Sequence, residues 1–391
     1  MSTHRRRMPA RRRRRSLVAV SVPALLVATL LGAPAPSGAT AGDPRRAETP
    51  ELSDAVVATL PGQPRAEVVT TGNSAGVFAS APAGQSASAS YPGVTVVWPA
   101  SQVRVNTSQA LRGRLTTTLP RATAVLQRQV AADQWVDVTT APVTTVGDFA
   151  LKVPATYYGH FTYRLRITAV DGSVIETPSQ QVTVLPEYTA PGLAASYALI
   201  SSNPVGRWDP CTPIRYRLNL AKAPKGVVPD IRAALANISR ASGLQFVYVG
   251  TTTVVPFSGD TYDSSLADMV IAWARPADMA GALPIGTFGL GGVQMRAGVD
   301  AAGRPVRQIY QGSVTLSAFY NRIIEPGAGK GMTRVAALMH EIGHAVGLFH
   351  VDGDKGQIMS PSLSNGLDVW GAGDLTGLEV VGAANGCVTA G

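Results

Sequence analysis

Residues 340–350 read His-Glu-Ile-Gly-His-Ala-Val-Gly-Leu-Phe-His and are the most informative stretch of this 391-residue chain. The chain contains five histidines, and three of them fall within this short segment. Residues four apart share one face of a helix, so His340 and His344 can point imidazole nitrogens at a single metal ion. Glu341 lies one step round the helix from His340, where its carboxylate can reach a metal-bound water without being a ligand. The spacing therefore predicts a metal site on a helix, with a base beside it.

The glycine between the second and third histidines decides whether the third histidine can join the other two. In a continued helix, about 100° per residue would swing His350 roughly 240° away from His344. Gly347 can instead adopt the left-handed conformation that ends a helix and turns the chain. The pattern thus predicts three imidazole ligands, His340, His344 and His350, and a fourth position left for water. This open arrangement is typical of a site for one catalytic Zn²⁺ ion.

The whole segment fits the pattern H-E-x-x-H-x-x-G-x-x-H, in which each fixed position has a chemical role. On these residues the chain resembles the metzincin clan of zinc metalloendopeptidases, most closely its matrixin-like members. The resemblance implies that Glu341 is the general base and that a methionine turn lies beneath the zinc. Met359, in the sequence Gln-Ile-Met-Ser-Pro of residues 357–361, is the candidate for that methionine. In the clan this methionine supports the ligands and does not bind the metal.

Three further features near or outside the motif have more modest interpretations. Residues 352–356 contain two aspartates that could bind Ca²⁺, but no second motif supports calcium, and a solvated turn is the preferred interpretation. Residues 360–373 are the candidate wall of the S1′ pocket, by analogy with the clan alone. His160 is isolated from the motif and is interpreted as a surface or strand residue.

The N-terminus predicts export. Two arginine clusters precede an apolar stretch at 17–31, and Ala-Thr-Ala at 39–41 supplies a cleavage signal, so residues 1–41 are predicted to be a signal peptide. The apolar stretch is short for a membrane span, and an uncleaved anchor stays open as an alternative. We expect a secreted, extracellular protein with no stable membrane insertion after cleavage. Association with the cell wall is left open.

Most of the positive net charge of the chain lies in the predicted leader. The chain carries a formal charge of +9, but the predicted leader contains eight arginines and no acidic residue. Without it, 26 basic residues remain against 25 acidic ones, so the basic balance gives no argument for nucleic acid. The expected partner is a protein or peptide substrate. The sequence does not indicate an oligomeric state, and a monomer is assumed.

The two cysteines of the chain, Cys211 and Cys387, lie near the start and the end of the presumed catalytic domain. An even count in an exported protein predicts a disulfide that ties the C-terminus to the first strand of that domain. The alternative is that Cys211, in Pro-Cys-Thr-Pro at 210–213, binds the zinc in a latent, inhibited form. The disulfide is preferred, because residues 209–214 fit the entrance to a strand better.

The sequence divides into five segments. Residues 42–92 are rich in Ala, Ser, Gly and Pro and are predicted to be a flexible linker or a weak propeptide. Short alternating strands in 93–187 predict an antiparallel β-sandwich, similar to the immunoglobulin-like modules of secreted bacterial proteins. Residues 188–192 are a predicted linker, and 193–391 a metzincin-like zinc peptidase domain of α+β class. The fold class is therefore multidomain.

Helices in the last segment are expected at 230–242, from an N-cap at Thr333 to Gly347, and at 374–384. From the resemblance we expect a secreted zinc-dependent metalloendopeptidase, in which a zinc-activated water attacks the peptide bond and Glu341 is general base. The alternative is a non-catalytic extracellular adhesion or wall-binding protein with a structural or degenerate zinc site. The intact Glu341 argues against the alternative, because a structural zinc site needs no base.

Overall fold

The computed structural model of this chain describes residues 86–259, 265–279, 283, 286–329, 331–362 and 366–391. The predicted signal peptide and most of the predicted linker or propeptide lie outside the described residues. None of the described helices combines the length and the hydrophobicity needed to cross a bilayer.

The N-terminal module is a sandwich of two sheets. Its strands are β1 (Ala87–Tyr91), β2 (Val94–Trp98), β3 (Gln102–Arg104), β4 (Gln109–Leu115), β5 (Thr123–Ala131), β6 (Gln134–Pro142), β7 (Asp148–Val153), β8 (Gly159–Thr168), β9 (Val174–Glu176) and β10 (Gln180–Leu185). One sheet has the order β1-β2-β4-β7, and the other has the order β3-β10-β8-β5-β6 with β9 beside β8. All pairs are antiparallel except β3 with β10.

Alternation of apolar and polar residues produces this module. Along β8, Phe161, Tyr163, Leu165 and Ile167 are buried and the residues between them are not, as a half-buried strand requires. Their side chains share one core with residues of the opposite sheet. The predicted β-sheet architecture is confirmed. The first strand, β1, lies within the stretch predicted as linker, and that part of the prediction is wrong. Its small residues give little hydrophobic signal in the sequence, and its position is fixed by pairing with β2.

The described part of the C-terminal region contains a seven-stranded mixed sheet and three α-helices. Its strands are β11 (Ala198–Leu199), β12 (Gly206–Arg207), β13 (Ile214–Asn219), β14 (Phe246–Thr251), β15 (Met269–Ala274), β16 (Gly289–Asp300), β17 (Pro305–Ser317), β18 (Leu348–Phe349) and β19 (Val388–Ala390). Its helices are α1 (Val227–Ser242), α2 (Arg334–Ala345) and α3 (Ala372–Val381). The main sheet has the order β14-β13-β15-β17-β16-β19, with β12 beside β17, and β11 pairs with β18. Strand β16 runs antiparallel to β17.

Local signals place the two long helices. Helix α1 buries Ile231, Leu235 and Ile238, the residues at helical spacing, and its C-cap is a left-handed glycine. Helix α2 begins after Thr333, whose hydroxyl accepts a hydrogen bond from the Ala336 amide at 3.2 Å. Helix α2 packs against α1 and against β16 and β17, so it is buried along its whole length. Helix α3 ends earlier than the sequence suggests, and a short 3-10 turn follows it.

The sandwich docks on the C-terminal region through the start of β8. The Tyr158 amide donates to the Arg240 carbonyl at the end of α1, with an N···O distance of 2.8 Å. His160 lies in β8, mostly exposed, and its Nδ1 is 3.0 Å from a carboxylate oxygen of Glu379 on α3. The interpretation of His160 as a strand residue is confirmed, but it also forms an ion pair between the two regions.

Candidate metal centre

The three histidines of the motif converge at the end of α2. Their Nε2 atoms form a nearly equilateral triangle, with distances of 3.1 Å between His340 and His350, 3.2 Å between His344 and His340, and 3.2 Å between His344 and His350. An ion at about 2.05 Å from each nitrogen would subtend N–metal–N angles of about 100°, close to tetrahedral. The triangle therefore fits a zinc-sized ion held by three nitrogen ligands.

Hydrogen bonds on the far side of two rings decide which nitrogen carries the proton. The Nδ1 atom of His340 donates to the Ile358 carbonyl at 2.6 Å, and that of His344 donates to the Leu348 carbonyl at 3.0 Å. Each Nε2 atom then presents a lone pair to the centre of the triangle. Two lone pairs facing each other at this distance repel, and a bound cation removes that repulsion. The donor set thus matches the chemistry of a metal ion.

Burial keeps one of the candidate ligands, His344, neutral. His344 is fully buried, and its pKa is held well below the usual value by burial first and by the neighbouring His340 and His350 next. A neutral imidazole is the form that binds a metal ion. The protein therefore holds His344 ready to coordinate throughout the neutral pH range.

The turn after α2 brings the third histidine back. Gly347 has a φ of 113°, in the left-handed region predicted for it. The chain reverses there, β18 pairs with β11, and His350 follows directly after β18. The Leu348 carbonyl in this reversed segment is the acceptor for His344. One turn therefore supplies the third ligand and fixes the tautomer of the second.

Met359 lies directly beneath α2. Its sulfur is 2.6 Å from the position that a Cβ atom on Gly343 would take, so the helix has a glycine where the methionine packs. The Met359 carbonyl accepts a hydrogen bond from the Val351 amide at 2.9 Å, beside His350. Residues 357–360 thus form a turn that contacts α2 and the segment after the third histidine, where the sequence placed a supporting methionine.

A buried aspartate that the sequence analysis did not single out holds this turn. The Asp374 carboxylate, on α3, accepts hydrogen bonds from the amides of Ile358 at 2.6 Å, Met359 at 3.3 Å and Gly371 at 3.0 Å. Burial raises the pKa of Asp374 to about 7, against the opposing effect of these backbone donors. Because the Ile358 carbonyl is the acceptor for His340, Asp374 orients a ligand through one peptide unit. The available sequence signal was an acidic residue in the first turn of a helix.

Asp354, one of the two aspartates at 352–356, is engaged within the protein. One Asp354 carboxylate oxygen accepts from the Leu193 amide at 2.9 Å and from the Gln357 side chain at 2.8 Å. The other oxygen accepts from the Gly356 amide at 2.9 Å. These bonds use the carboxylate to close a turn and give no support for Ca²⁺. In the described part of the chain, the clusters with metal-ligand spacing are the three histidines and a group formed by Asp209 and the two cysteines.

The two cysteines of that second group are bonded to each other. Cys211 and Cys387 form a disulfide, with their Cα atoms 5.4 Å apart, that links the entrance of β13 to the start of β19. The predicted disulfide is confirmed, and the alternative of an inhibitory Cys211 thiol on the zinc is wrong, because its sulfur is bonded elsewhere. An Asp209 oxygen also accepts a hydrogen bond from the Val388 amide at 3.1 Å. Both contacts hold the C-terminal strand on the edge of the sheet.

The candidate S1′ wall is described only in part, since residues 363–365 lie outside the described residues. In the rest of it, Trp370 is buried and its indole nitrogen donates to the Asn237 carbonyl of α1 at 3.3 Å. Its ring reaches to within 3.7 Å of the position of a Cβ atom on Gly343. The assignment as a pocket wall stays a prediction.

Glu341 lies on α2 with its side chain buried against β16. The structure thus brings together the three histidines, Glu341 and Met359, all of which the sequence singled out. Besides Asp374, it adds two glycines of β16, Gly289 and Gly291, which lie under Glu341. A glycine-rich strand was visible in the sequence, but nothing there indicated which helix it would meet.

Comparisons with known proteins give no family. No family model matches this chain, and no curated protein matches it. Solved structures share limited similarity with it, among them the following three. A chain from a structure of T cell activation by the bacterial superantigen toxic shock syndrome toxin-1 is 18% identical, with 24% of this chain and 100% of that chain covered and a TM-score of 0.20.

The fibronectin(III)-like modules of Clostridium thermocellum CbhA are 13% identical, with 23% of this chain and 88% of that chain covered and a TM-score of 0.18. CopC from Methylosinus trichosporium OB3b is 15% identical, with 23% of this chain and 89% of that chain covered and a TM-score of 0.17. At these TM-scores the similarities carry no argument about function. They also give no support for a metzincin family.

Proposed function

We propose that this chain is a secreted zinc-dependent metalloendopeptidase of metzincin type. The observation that carries the proposal is the triangle of Nε2 atoms from His340, His344 and His350, with Glu341 on the same helix. Two of the three tautomers are fixed so that lone pairs face the centre. Three protein ligands would leave one position of a tetrahedral zinc ion for water. An open three-histidine site beside a carboxylate is suited to hydrolysis.

Each residue has a role in the proposed reaction. When bound, zinc would lower the pKa of a water molecule and polarise the carbonyl of the scissile peptide bond. The three histidines would hold the ion as neutral ligands, and the carbonyls of Ile358 and Leu348 would fix two of their rings. Glu341 would accept the proton of the attacking water and pass it to the leaving amine. The proposed substrate is a protein or peptide outside the cell.

The proposal of export has two supports. The leader-like sequence of residues 1–41 is one, and the disulfide between Cys211 and Cys387 is the other, since disulfides persist mainly in oxidising compartments. Export and cell-wall association are tested together by expressing the full chain in a secreting host and following it in the medium and the wall fraction.

The test of activity compares the purified protein with a matched variant. Zinc per chain is measured, and casein and gelatin cleavage is assayed with and without a chelator. Glu341→Gln keeps the size of the side chain and removes the base, so this variant should retain zinc and lose cleavage. The proposal is wrong if the protein binds zinc but shows no chelator-sensitive cleavage, an outcome that would favour the adhesion alternative. The role of Glu341 is wrong if Glu341→Gln cleaves at the normal rate.

A further inference from the structure

Two glycines of β16 lie under the helix that carries the motif. Gly289 and Gly291 are two residues apart and therefore face the same side of the strand. A Cβ atom on Gly291 would collide with the Glu341 backbone carbonyl and stand 2.7 Å from the His344 Cβ atom. A Cβ atom on Gly289 would stand 2.6 Å from the Glu341 Oε1 atom, 2.7 Å from Cδ and 2.8 Å from Cγ. Gly291 thus faces the helix backbone, while Gly289 faces the carboxylate.

Backbone conformation does not explain these two glycines. Neither has a φ in the left-handed region, where other residues are strained. A glycine inside a strand weakens it, and it commonly marks a place where another group approaches closely. Here the approaching groups are the backbone carbonyl and the side chain of Glu341 and the Cβ atom of His344. The absence of a side chain is therefore a requirement of space.

We propose that Gly289 is a positioning residue, which leaves open the space that the Glu341 carboxylate occupies. This inference rests on the proposed function, because it concerns the base of that reaction. In this proposal Gly289 acts through Glu341, whose side-chain atoms are the ones nearest to its missing Cβ atom. An added methyl group would displace the carboxylate by roughly 0.5–1 Å to restore ordinary contact, and an error of that size can cost about 10²-fold in rate.

The test is a double-mutant cycle on the zinc-loaded, full-length protein. Gly289→Ala should lower kcat by about 10²-fold, with KM changed by less than about threefold and one zinc still bound per chain. The pH profile of kcat/KM should shift on its acidic limb, because that limb reports the base. Gly312→Ala is the control: Gly312 is a strand glycine of the same sheet, and its added Cβ would lie 3.1 Å from the terminal methyl group of Met269 and 3.3 Å from the Trp208 ring.

The second arm of the cycle uses Glu341→Ala, which removes every Glu341 side-chain atom that the new methyl group would meet. Gly289→Ala should lower the thermal midpoint in the wild-type background and leave it nearly unchanged in the Glu341→Ala background. This arm needs no activity, so it separates the two ideas. If the wild-type protein shows no cleavage, the proposed function is wrong, but the contact between Gly289 and Glu341 is still tested by the thermal midpoints. Equal effects of Gly289→Ala in both backgrounds, or an unchanged kcat, would overturn the inference.

If Gly289→Ala alone prevents folding, the double variant decides the question. Recovery of folding in Gly289→Ala with Glu341→Ala supports the steric contact. Failure of the double variant to fold would contradict it, because the methyl group must then meet something other than the Glu341 side chain.

Discussion

The sandwich of β1–β10 and the C-terminal sheet region differ in what they bury. Among the described residues, the sandwich buries an apolar core and two polar side chains, Gln127 and Thr177. The C-terminal region also buries His340, His344, Glu341 and Asp374, along with several further polar and charged groups. Buried polar groups cost free energy unless they are partnered, so a chain that concentrates them in one region has a use for them there. The difference separates a region whose interior is almost entirely apolar from one that also buries polar groups around the candidate metal centre.

The largest effect should come from removing a ligand. His344→Ala takes away one of three imidazoles, so the protein should lose its bound zinc and its chelator-sensitive cleavage should fall to background. His160→Ala, which changes a histidine of the sandwich, should keep both. Zinc per chain and cleavage rate are the measurements. If His344→Ala keeps its zinc, the metal does not bind at the histidine motif of the C-terminal region.

Next in size is the disulfide, which only the C-terminal region has. Replacing Cys211 and Cys387 with serine should lower the free energy of unfolding by about 4–5 kcal/mol in the chain-entropy model. Urea unfolding measures it, and the wild-type protein in reductant should match the double variant. If the urea midpoint stays the same, the disulfide does not hold the C-terminal strand in place.

A smaller effect is expected for the aspartate that holds the methionine turn. Asp374→Asn keeps the size of the side chain but weakens its hydrogen bonds to the Ile358 and Met359 amides, so zinc affinity should fall by about 10–100-fold. Competition with a chelator measures the affinity. Glu379→Gln, on the same helix and away from the turn, is the control. Equal affinities for Asp374→Asn and wild type would exclude Asp374 from the support of His340.

Asp374 also gives the metal-free protein a pH dependence. Its pKa of about 7 in the folded state exceeds the usual value of about 3.9, so the folded protein binds a proton that the unfolded chain releases between these pH values. Stability of the metal-free protein should therefore fall as pH rises from about 4 to about 7. The fall should be smaller in Asp374→Asn, as measured by urea unfolding across that range. If the stability of Asp374→Asn falls as steeply with pH as that of the wild type, Asp374 is not the source of this pH dependence.

The smallest effect concerns the ion pair between the two regions. The hydrogen bond to Glu379 is the main cause of the raised pKa of His160, so protonation stabilises the docked state. That contribution is present below the unfolded pKa of about 6.5 and is lost as pH rises through the folded pKa. Glu379→Gln should lower the pKa of His160, as an NMR titration would show. An unchanged titration would mean that the ion pair does not form in solution.

How much the sequence revealed differs between residues. His340, His344 and His350 could be chosen from spacing alone, because a helix and one left-handed turn are local structures. Strand β1 could not, because its small residues have little hydrophobic pattern and its position depends on β2. Asp374 could be recognised as a helix-start residue, but its bonds to Ile358 and Met359 join residues 16 and 15 positions away.

The sequence by itself determined the ligand set, the turn at Gly347, the alternating strands of the sandwich and the pairing of two cysteines with no competing partner. Each of these follows from periodicity, from backbone preference or from a count, all of which are readable along the chain. Only the tertiary structure decided that the amides of a distant turn meet Asp374, that His160 pairs with Glu379, and that Glu341 stands over Gly289. These are contacts between residues that lie far apart in the sequence and meet only in the folded chain. Protein interiors are closely packed, so an added methyl group at Gly289 would collide with Glu341.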